Sequence, residues 1–323
     1  MKIVLSHPRH FFRYLHRIKL MYTNKRVLIA EAYGVRENAS DVSVIVKFSH
    51  FHDGGSENEY WWSFMMQELK RKLVVPDTVF TYDAFPVIVD KSLLRHLGNL
   101  KSLLEVKEGE KLTCIVTEKL HMDYTHFGAL AVRNVAQEVQ RESLVFQSLF
   151  QIAFQLYTLQ SCLGFRHKDL HTSNVFVRRL DSERTLQYKL HDRYYAFSTS
   201  YIFMLADMFY SSHEKPEFYH PDPDTVEKVR EVRYNDFYYL MKRSFGSEKN
   251  VMRSTPKLLA FAERRLSVTG AEEPLENILN DPAFEFLRVQ ALDPRIHTFK
   301  RCNRLVRLDN TSLKYDWYPT STF

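Results

Sequence analysis

The residues best suited to chemistry lie in one run, Arg166-His167-Lys168-Asp169-Leu170-His171-Thr172-Ser173-Asn174. A carboxylate such as Asp169 can take or orient the proton of an attacking hydroxyl. A side-chain amide five residues on, Asn174, can offer its carbonyl oxygen to a hard divalent cation. His171 stands between them and can change charge near neutral pH. The apolar run Val175-Phe176-Val177 follows directly, which places the polar residues on a short loop entering a strand.

This run resembles the catalytic loop of eukaryotic-type protein kinases, His-Arg-Asp-Leu with an Asn after it. A polar turn with a chance His-x-Asp is the plain alternative; five matched positions followed by a strand argue against it. The chain is similar to divergent branches of that superfamily, in particular haspin-like, casein-kinase-like, vaccinia-related and large-DNA-virus kinases. The resemblance implies an α+β, two-lobed fold with a β-rich small lobe and a mainly helical large lobe. It implies ATP and Mg²⁺ in the cleft and transfer to a protein hydroxyl, Ser or Thr, because the Arg that tyrosine kinases carry two or four residues after the Asp is absent. Asp169 would act on the acceptor hydroxyl and Asn174 would hold the metal, while His171 stands where most Ser/Thr kinases have a Lys.

The elements that must position this loop can be read along the chain. Residues 11 to 20 carry apolar side chains at near-helical spacing, which predicts a short helix. Val27-Leu28-Ile29 and Val42 to Phe48 read as strands. By resemblance Lys47 is the strand lysine that contacts phosphates, and Gly34 is the last glycine of a phosphate-covering loop over Ile29 to Val35. Glu31 in that stretch is electrostatically adverse to phosphate.

A helix is expected from Glu57 to Leu73. Glu57, Glu59 and Glu68 compete as the partner of Lys47; Glu59 is preferred because its separation from Lys47 resembles that in the casein-kinase-like and vaccinia-related branches. Val79 to Tyr82 suggests a strand, Lys91 to Val106 a helical insert, and Leu112 to Thr117 a strand leading into an interlobe hinge. The resemblance places Thr117 at the border of an adenine pocket, the backbone of Glu118 and Leu120 on the base, and Asp123 within reach of the ribose.

Residues 134 to 163 read as a long amphipathic helix. After Asn174 a hairpin with its tip at Asp181-Ser182-Glu183-Arg184 returns through Leu186 to Leu190 to His191-Asp192-Arg193-Tyr194. Asp192 is the match to the Asp of Asp-Phe-Gly and so a second metal ligand. No Ala-Pro-Glu follows. Tyr234 to Met241 reads as a buried helix whose Asp236 would tether the catalytic loop, and Pro256 to about Phe299 is helical in pattern. The division expected is an N-terminal extension 1–25, small lobe 26–118, large lobe 119–300 and an unassigned tail 301–323.

Composition narrows the classes. Hydrophobic content of 45% and aromatic content of 14% suffice for a large core. The net charge of +6, with pI about 9.0, reads as an ordinary basic surface and gives no indication of nucleic-acid binding. Cys114, Cys162 and Cys302 show neither C-x-x-C pairing nor an even count, which points to a reducing compartment. No apolar run approaches the ~18 residues that span a bilayer, and the first ten residues lack a signal-peptide core. An intracellular protein, cytoplasmic or nuclear and in the host cell if viral, with ATP and a protein substrate as partners, is expected. Two alternatives remain: a small-molecule kinase of the aminoglycoside or choline type, and a pseudokinase acting as a binding module, for which the scarcity of glycines speaks.

Overall fold

The computed structural model describes residues 15–23, 27–36, 39–50, 55–91, 93, 106–120, 122–132, 134–208, 211, 235–245, 255–267 and 273–300. The architecture is α+β, built on two five-stranded sheets. The first sheet has the order β1-β2-β3-β5-β4, with β1 Leu15–Thr23, β2 Val27–Arg36, β3 Ala39–His50, β4 Thr81–Ile88 and β5 Lys111–Glu118. Its pairings are antiparallel. Alternation does the sorting: Leu28, Ala30, Ala32, Val44, Val46 and Phe48 point to one side and form a small core of their own. Ile29, Glu31, Ile45 and Lys47 therefore share the opposite face.

Helix α1, Gly55–Arg71, follows β3 and buries Trp62, Met65, Met66 and Leu69 in a second, larger core. That core is organised by α2, Glu138–Leu163, which is buried on nearly every side along its last five turns. Gly164 ends α2 in a left-handed conformation (φ 63°) and donates its N–H to the Gln160 carbonyl, which suits a residue without Cβ. Phe165 then packs edge-on against Trp62 with ring centroids 4.7 Å apart, tying the start of the polar loop to α1.

The second sheet is built on β7 Val175–Leu190 and β8 Arg193–Leu205, flanked by β10 Thr298–Lys300 and β9 Arg288–Val289; β6 Met122–Asp123 also pairs with β7. Gln151 and Gln155 splice α2 to β8. The Gln151 side chain accepts from Phe203 N–H (3.3 Å) and donates to the Tyr201 carbonyl (3.1 Å), and Gln155 accepts from Leu205 N–H (3.2 Å). Two further helices, α3 Asp236–Phe245 and α4 Pro256–Leu266, pack on the same core.

Several sequence expectations change. The segment read as a short helix in the N-terminal extension is, from Leu15, strand β1; its apolar spacing fits either period, and pairing with β2 decides. Residues Ile29 to Val35, read as a loop, lie inside β2. Asp181 to Arg184 is not a hairpin tip but an irregularity within β7, where the register slips between Arg179 and Arg184. The tip is His191-Asp192, with His191 at φ 54°. Of the helical insert from Lys91 to Val106, Lys91 and Leu93 are helical and most of the rest lies outside the described residues. The end of the stretch read as helical to Phe299 forms β10, parallel to β7. No helix among the described residues is long and apolar enough to cross a membrane.

Candidate active site

Asn174 closes a 3-10 turn, Thr172–Asn174, and leads directly into β7. Because β7 and β8 pair with Val175 opposite Leu205, the residues beyond each strand end meet. The Ala206 N–H donates to the Asn174 carbonyl (2.9 Å), and Asp207 follows at once. The polar loop is anchored from beneath by Asp236, buried at the start of α3, whose two oxygens accept from the backbone N–H groups of His167 and Lys168 (2.8 Å each). His167 is fully buried with Nε2 2.9 Å from the Ala206 carbonyl, which ties the loop to the end of β8. Lys168 (φ 66°) and Asp207 (φ 55°) both hold left-handed backbone, a conformation costly for side chains of this kind and concentrated here.

Above this loop Lys47 is nearly buried and its ammonium lies 2.6 Å from Glu59 Oε2 and 2.8 Å from Asp207 Oδ1. One cation thus joins β3, α1 and the end of β8. Burial alone would disfavour the Lys47 ammonium, yet Glu59 and Asp207 hold its pKa above the usual value. Burial would raise the Asp207 carboxyl, but Lys47 keeps it below its ordinary range. Glu59 is pushed the other way, to about 7, because burial and the nearby Asp207 outweigh Lys47. Among the competing glutamates, Glu68 turns outward to Arg71 (2.6 Å), and the Glu57 side chain lies outside the described ones.

Asp169 projects from the loop with its side chain 46% exposed, its pKa raised by burial, and His171 Nε2 3.8 Å from Oδ2. Asn174 is almost fully buried and its amide N–H donates to the Asp169 carbonyl (2.9 Å), which turns the amide oxygen the other way. That oxygen and Asp207 Oδ2 take no hydrogen bond among the described residues. Two oxygens free on one carboxylate and one amide suit a hard cation such as Mg²⁺ that draws its remaining ligands from phosphate and water. Among the described residues no group of three His, Cys, Asp or Glu could enclose a metal by itself.

Two sequence assignments move. Asp192 lies exposed in the β7–β8 turn at the far end of the hairpin from Asn174, roughly 40 Å along β8 at ~3.3 Å per residue. The carboxylate beside Lys47 is Asp207, in the sequence Asp207-Met208-Phe209. Its available signal was an Asp just past an apolar strand, Tyr201 to Leu205, which is the second strand after Asn174 and not the first. Gly34 sits in β2 opposite Leu15 and Val42, five residues of strand from Ile29, the partner of Lys47. That separation is roughly 17 Å. Residues 24–26, between β1 and β2, lie outside the described residues.

Thr117 pairs with Ile45 and shares the face of Lys47. The Glu118 N–H is taken by the Phe80 carbonyl (2.9 Å), and its carboxylate by Arg178 and by Phe80 N–H (2.7 Å). Glu118 is also paired with Val44 of β3, and Leu120 just beyond it is half-buried. Asp123 caps the helical turn Tyr124–Phe127 by accepting from His126 N–H (2.8 Å) and also meets the His126 ring (2.8 Å).

One positioning residue was missed by sequence reasoning. Asn58, next to Glu59 on α1, donates to the carbonyls of Ser211 (2.6 Å) and Met208 (3.2 Å). It pins the segment after Asp207 to the helix that carries Glu59.

Residues 124–262 match the family model described as poxvirus serine/threonine protein kinase. The matched stretch runs from the end of β6 to α4 and contains Asp169, Asn174, Asp207 and Asp236. Over it the chain is similar to that family. No curated protein matches the chain.

Proposed function

We propose that the chain is an ATP- and Mg²⁺-dependent protein kinase that phosphorylates Ser or Thr hydroxyls. The family match supports protein-kinase phosphoryl transfer in general. The observation that carries the finer reading is the Lys47 ammonium between Glu59 and Asp207, facing the Asp169–Asn174 loop across the junction of the two sheets.

In this reading the sheet of β1 to β5 roofs a small lobe, and the remainder forms a large lobe beneath it. Lys47, oriented by Glu59, binds the phosphates of ATP. Asn174 and Asp207 would hold Mg²⁺, which supplies charge neutralisation to the phosphates when bound. Asp169 lies open to the entering hydroxyl and orients its oxygen for in-line attack on the γ-phosphorus. The acceptor oxygen forms a new P–O bond as the bond between the γ-phosphorus and the bridging oxygen of ADP breaks, and ADP departs with that electron pair while the hydroxyl gives up its proton. The proton passes to Asp169 or to solvent. His171 donates a hydrogen bond toward the transferred group. The base stacks on the face of Ile45 and Thr117, with the carbonyl of Glu118 and the backbone of Leu120 at its edge.

The test combines calorimetric binding of Mg²⁺–ATP with phosphate transfer from labelled ATP to a generic basic protein. Asp169→Asn should retain nucleotide affinity and lose transfer by a factor on the order of 10³. A parent that binds Mg²⁺–ATP without transferring phosphate to any hydroxyl substrate would favour the binding-module reading. Transfer only to small amino or hydroxyl compounds would favour the small-molecule kinase.

A further inference from the structure

Glu31 lies on the wrong face of β2 for an ordinary surface carboxylate. It is opposite Ile45 in β3 and shares a face with Lys47, since Lys47 is opposite Ile29 and side chains two apart along a strand point the same way. It is only 3% exposed. As a diagonal neighbour of Lys47 it sits roughly 7 Å away, on the side proposed to receive ATP. Its carboxylate accepts from Lys119 Nζ and from Ser43 Oγ, 2.5 Å each. Lys119, then Ser43, hold its pKa down at about 2, so it carries its charge throughout the neutral range. Lys119 is the first residue past β5, in the segment joining the two sheets, and its own pKa is raised by Glu31.

We propose that Lys119 is an internal counter-ion which keeps the nucleotide-facing side of the first sheet free of uncompensated negative charge, and so sets nucleotide affinity through Glu31. This deepens the phosphoryl-transfer reading above and rests on it. A polyanion approaching Lys47 meets Glu31 within about one side-chain length, and the repulsion is strong in a partly desolvated cleft. Lys119 cancels that charge from the linker, and in doing so ties the roof strand β2 to the segment beside the base. Lys119 is thus a positioning and charge-balancing residue that leaves the reacting phosphate to Lys47.

The experiment is a thermodynamic cycle on the full chain, read as the calorimetric Kd for Mg²⁺–ATP, with melting temperature followed in parallel. Lys119→Met should weaken binding by about tenfold, because a buried carboxylate is left unbalanced. Glu31→Gln should bind no more weakly than the parent, because it leaves the Lys119 charge unopposed, and Glu31→Gln/Lys119→Met should return to within about twofold of the parent. A double variant as weak as Lys119→Met alone would show that Lys119 touches the nucleotide itself and overturn the proposal. Unchanged affinity in Lys119→Met would do the same. If Lys119→Met does not fold, comparing the double variant with the parent decides the matter, as the pair is neutral in both and a weaker double variant would mean that Lys119 touches the nucleotide. A parent without affinity for Mg²⁺–ATP overturns the phosphoryl-transfer reading and this inference together; a parent that binds, with an indifferent cycle, overturns the inference alone.

Discussion

Arg178 of β7 and Glu118 of β5 meet through two parallel hydrogen bonds, Nη1 at 2.9 Å and Nη2 at 2.5 Å, and so fasten one sheet to the other. The same guanidinium reaches Asp77 through Nε (2.6 Å), and Asp77 in turn pairs with Lys70 near the end of α1. The planar fork of Arg is what allows one side chain to serve two carboxylates. Arg178→Ala should lower the unfolding free energy by about 2–3 kcal/mol, since both carboxylates are largely buried and would be left without it. Arg178→Lys should recover less than half of the loss. Urea unfolding of the three proteins checks this, and a loss under about 0.5 kcal/mol would mean the brace behaves as an ordinary surface pair.

The metal-ligand assignment is tested by two carboxylates that sequence alone could not separate. Asp207→Asn should reduce phosphate transfer by a factor on the order of 10³, whereas Asp192→Asn, in an exposed turn, should transfer at the parent rate. Equal effects of the two, or loss of activity in Asp192→Asn alone, would return the role to Asp192.

The legible parts of this chain were those whose signals are local. The loop Arg166 to Asn174 carries its residues in one run. Helix α2 announces itself by a long period near 3.6, and Glu59 by its distance from Lys47 within one strand and one helix. What failed was the counting of strands. Alternation over Leu15 to Thr23 is weak in an edge strand, so the segment reads as a helix, and Gly34 then reads as part of a loop when it lies inside β2. The polar quartet Asp181 to Arg184 carries strong turn residues, yet β7 absorbs it as a bulge. A tip at that quartet ends the hairpin one strand early and brings Asp192 beside Lys47, whereas the fold brings Asp207 there. Asp207 itself hides well, because Met208 and Phe209 after it carry no local signal of a site. Register along a sheet is set by partners distant in sequence, and those partners are invisible until the chain is folded.

Asn58 makes a separate prediction because it braces α1 through backbone carbonyls. Its two hydrogen bonds to the Met208 and Ser211 carbonyls hold α1 against the segment leaving Asp207. Asn58→Leu, nearly the same size, should lower kcat by about tenfold with little change in the Michaelis constant for ATP, because Glu59 would lose its fixed approach to Lys47. Asn58→Asp should not rescue it, since a carboxylate facing two carbonyls repels them. A rise in the Michaelis constant with unchanged kcat would assign Asn58 to nucleotide binding instead.

The pKa of Glu59 gives a prediction in which stability and activity run in opposite directions. Burial lifts its carboxyl from 4.5 to about 7 in the folded protein, above its unfolded value. Between those two values the folded state binds more protons than the unfolded state. The unfolding free energy contributed by this group must therefore fall as pH rises through the window. Activity should do the reverse. Lys47 is oriented by the ionised carboxylate, 2.6 Å away, and loses that partner as Glu59 takes up a proton. Turnover should therefore decline as pH falls through about 7 while the melting temperature rises, with Asp207 still charged because its pKa is lowered. Glu59→Gln should be less active than the parent near pH 8 and should flatten both curves. Transfer rate and melting temperature measured from about pH 5.5 to about pH 8.5 on both proteins are the check. If the parent's acid limb persists in Glu59→Gln, the titrating group is another one, and the lifted carboxyl of Asp169 becomes the first to examine.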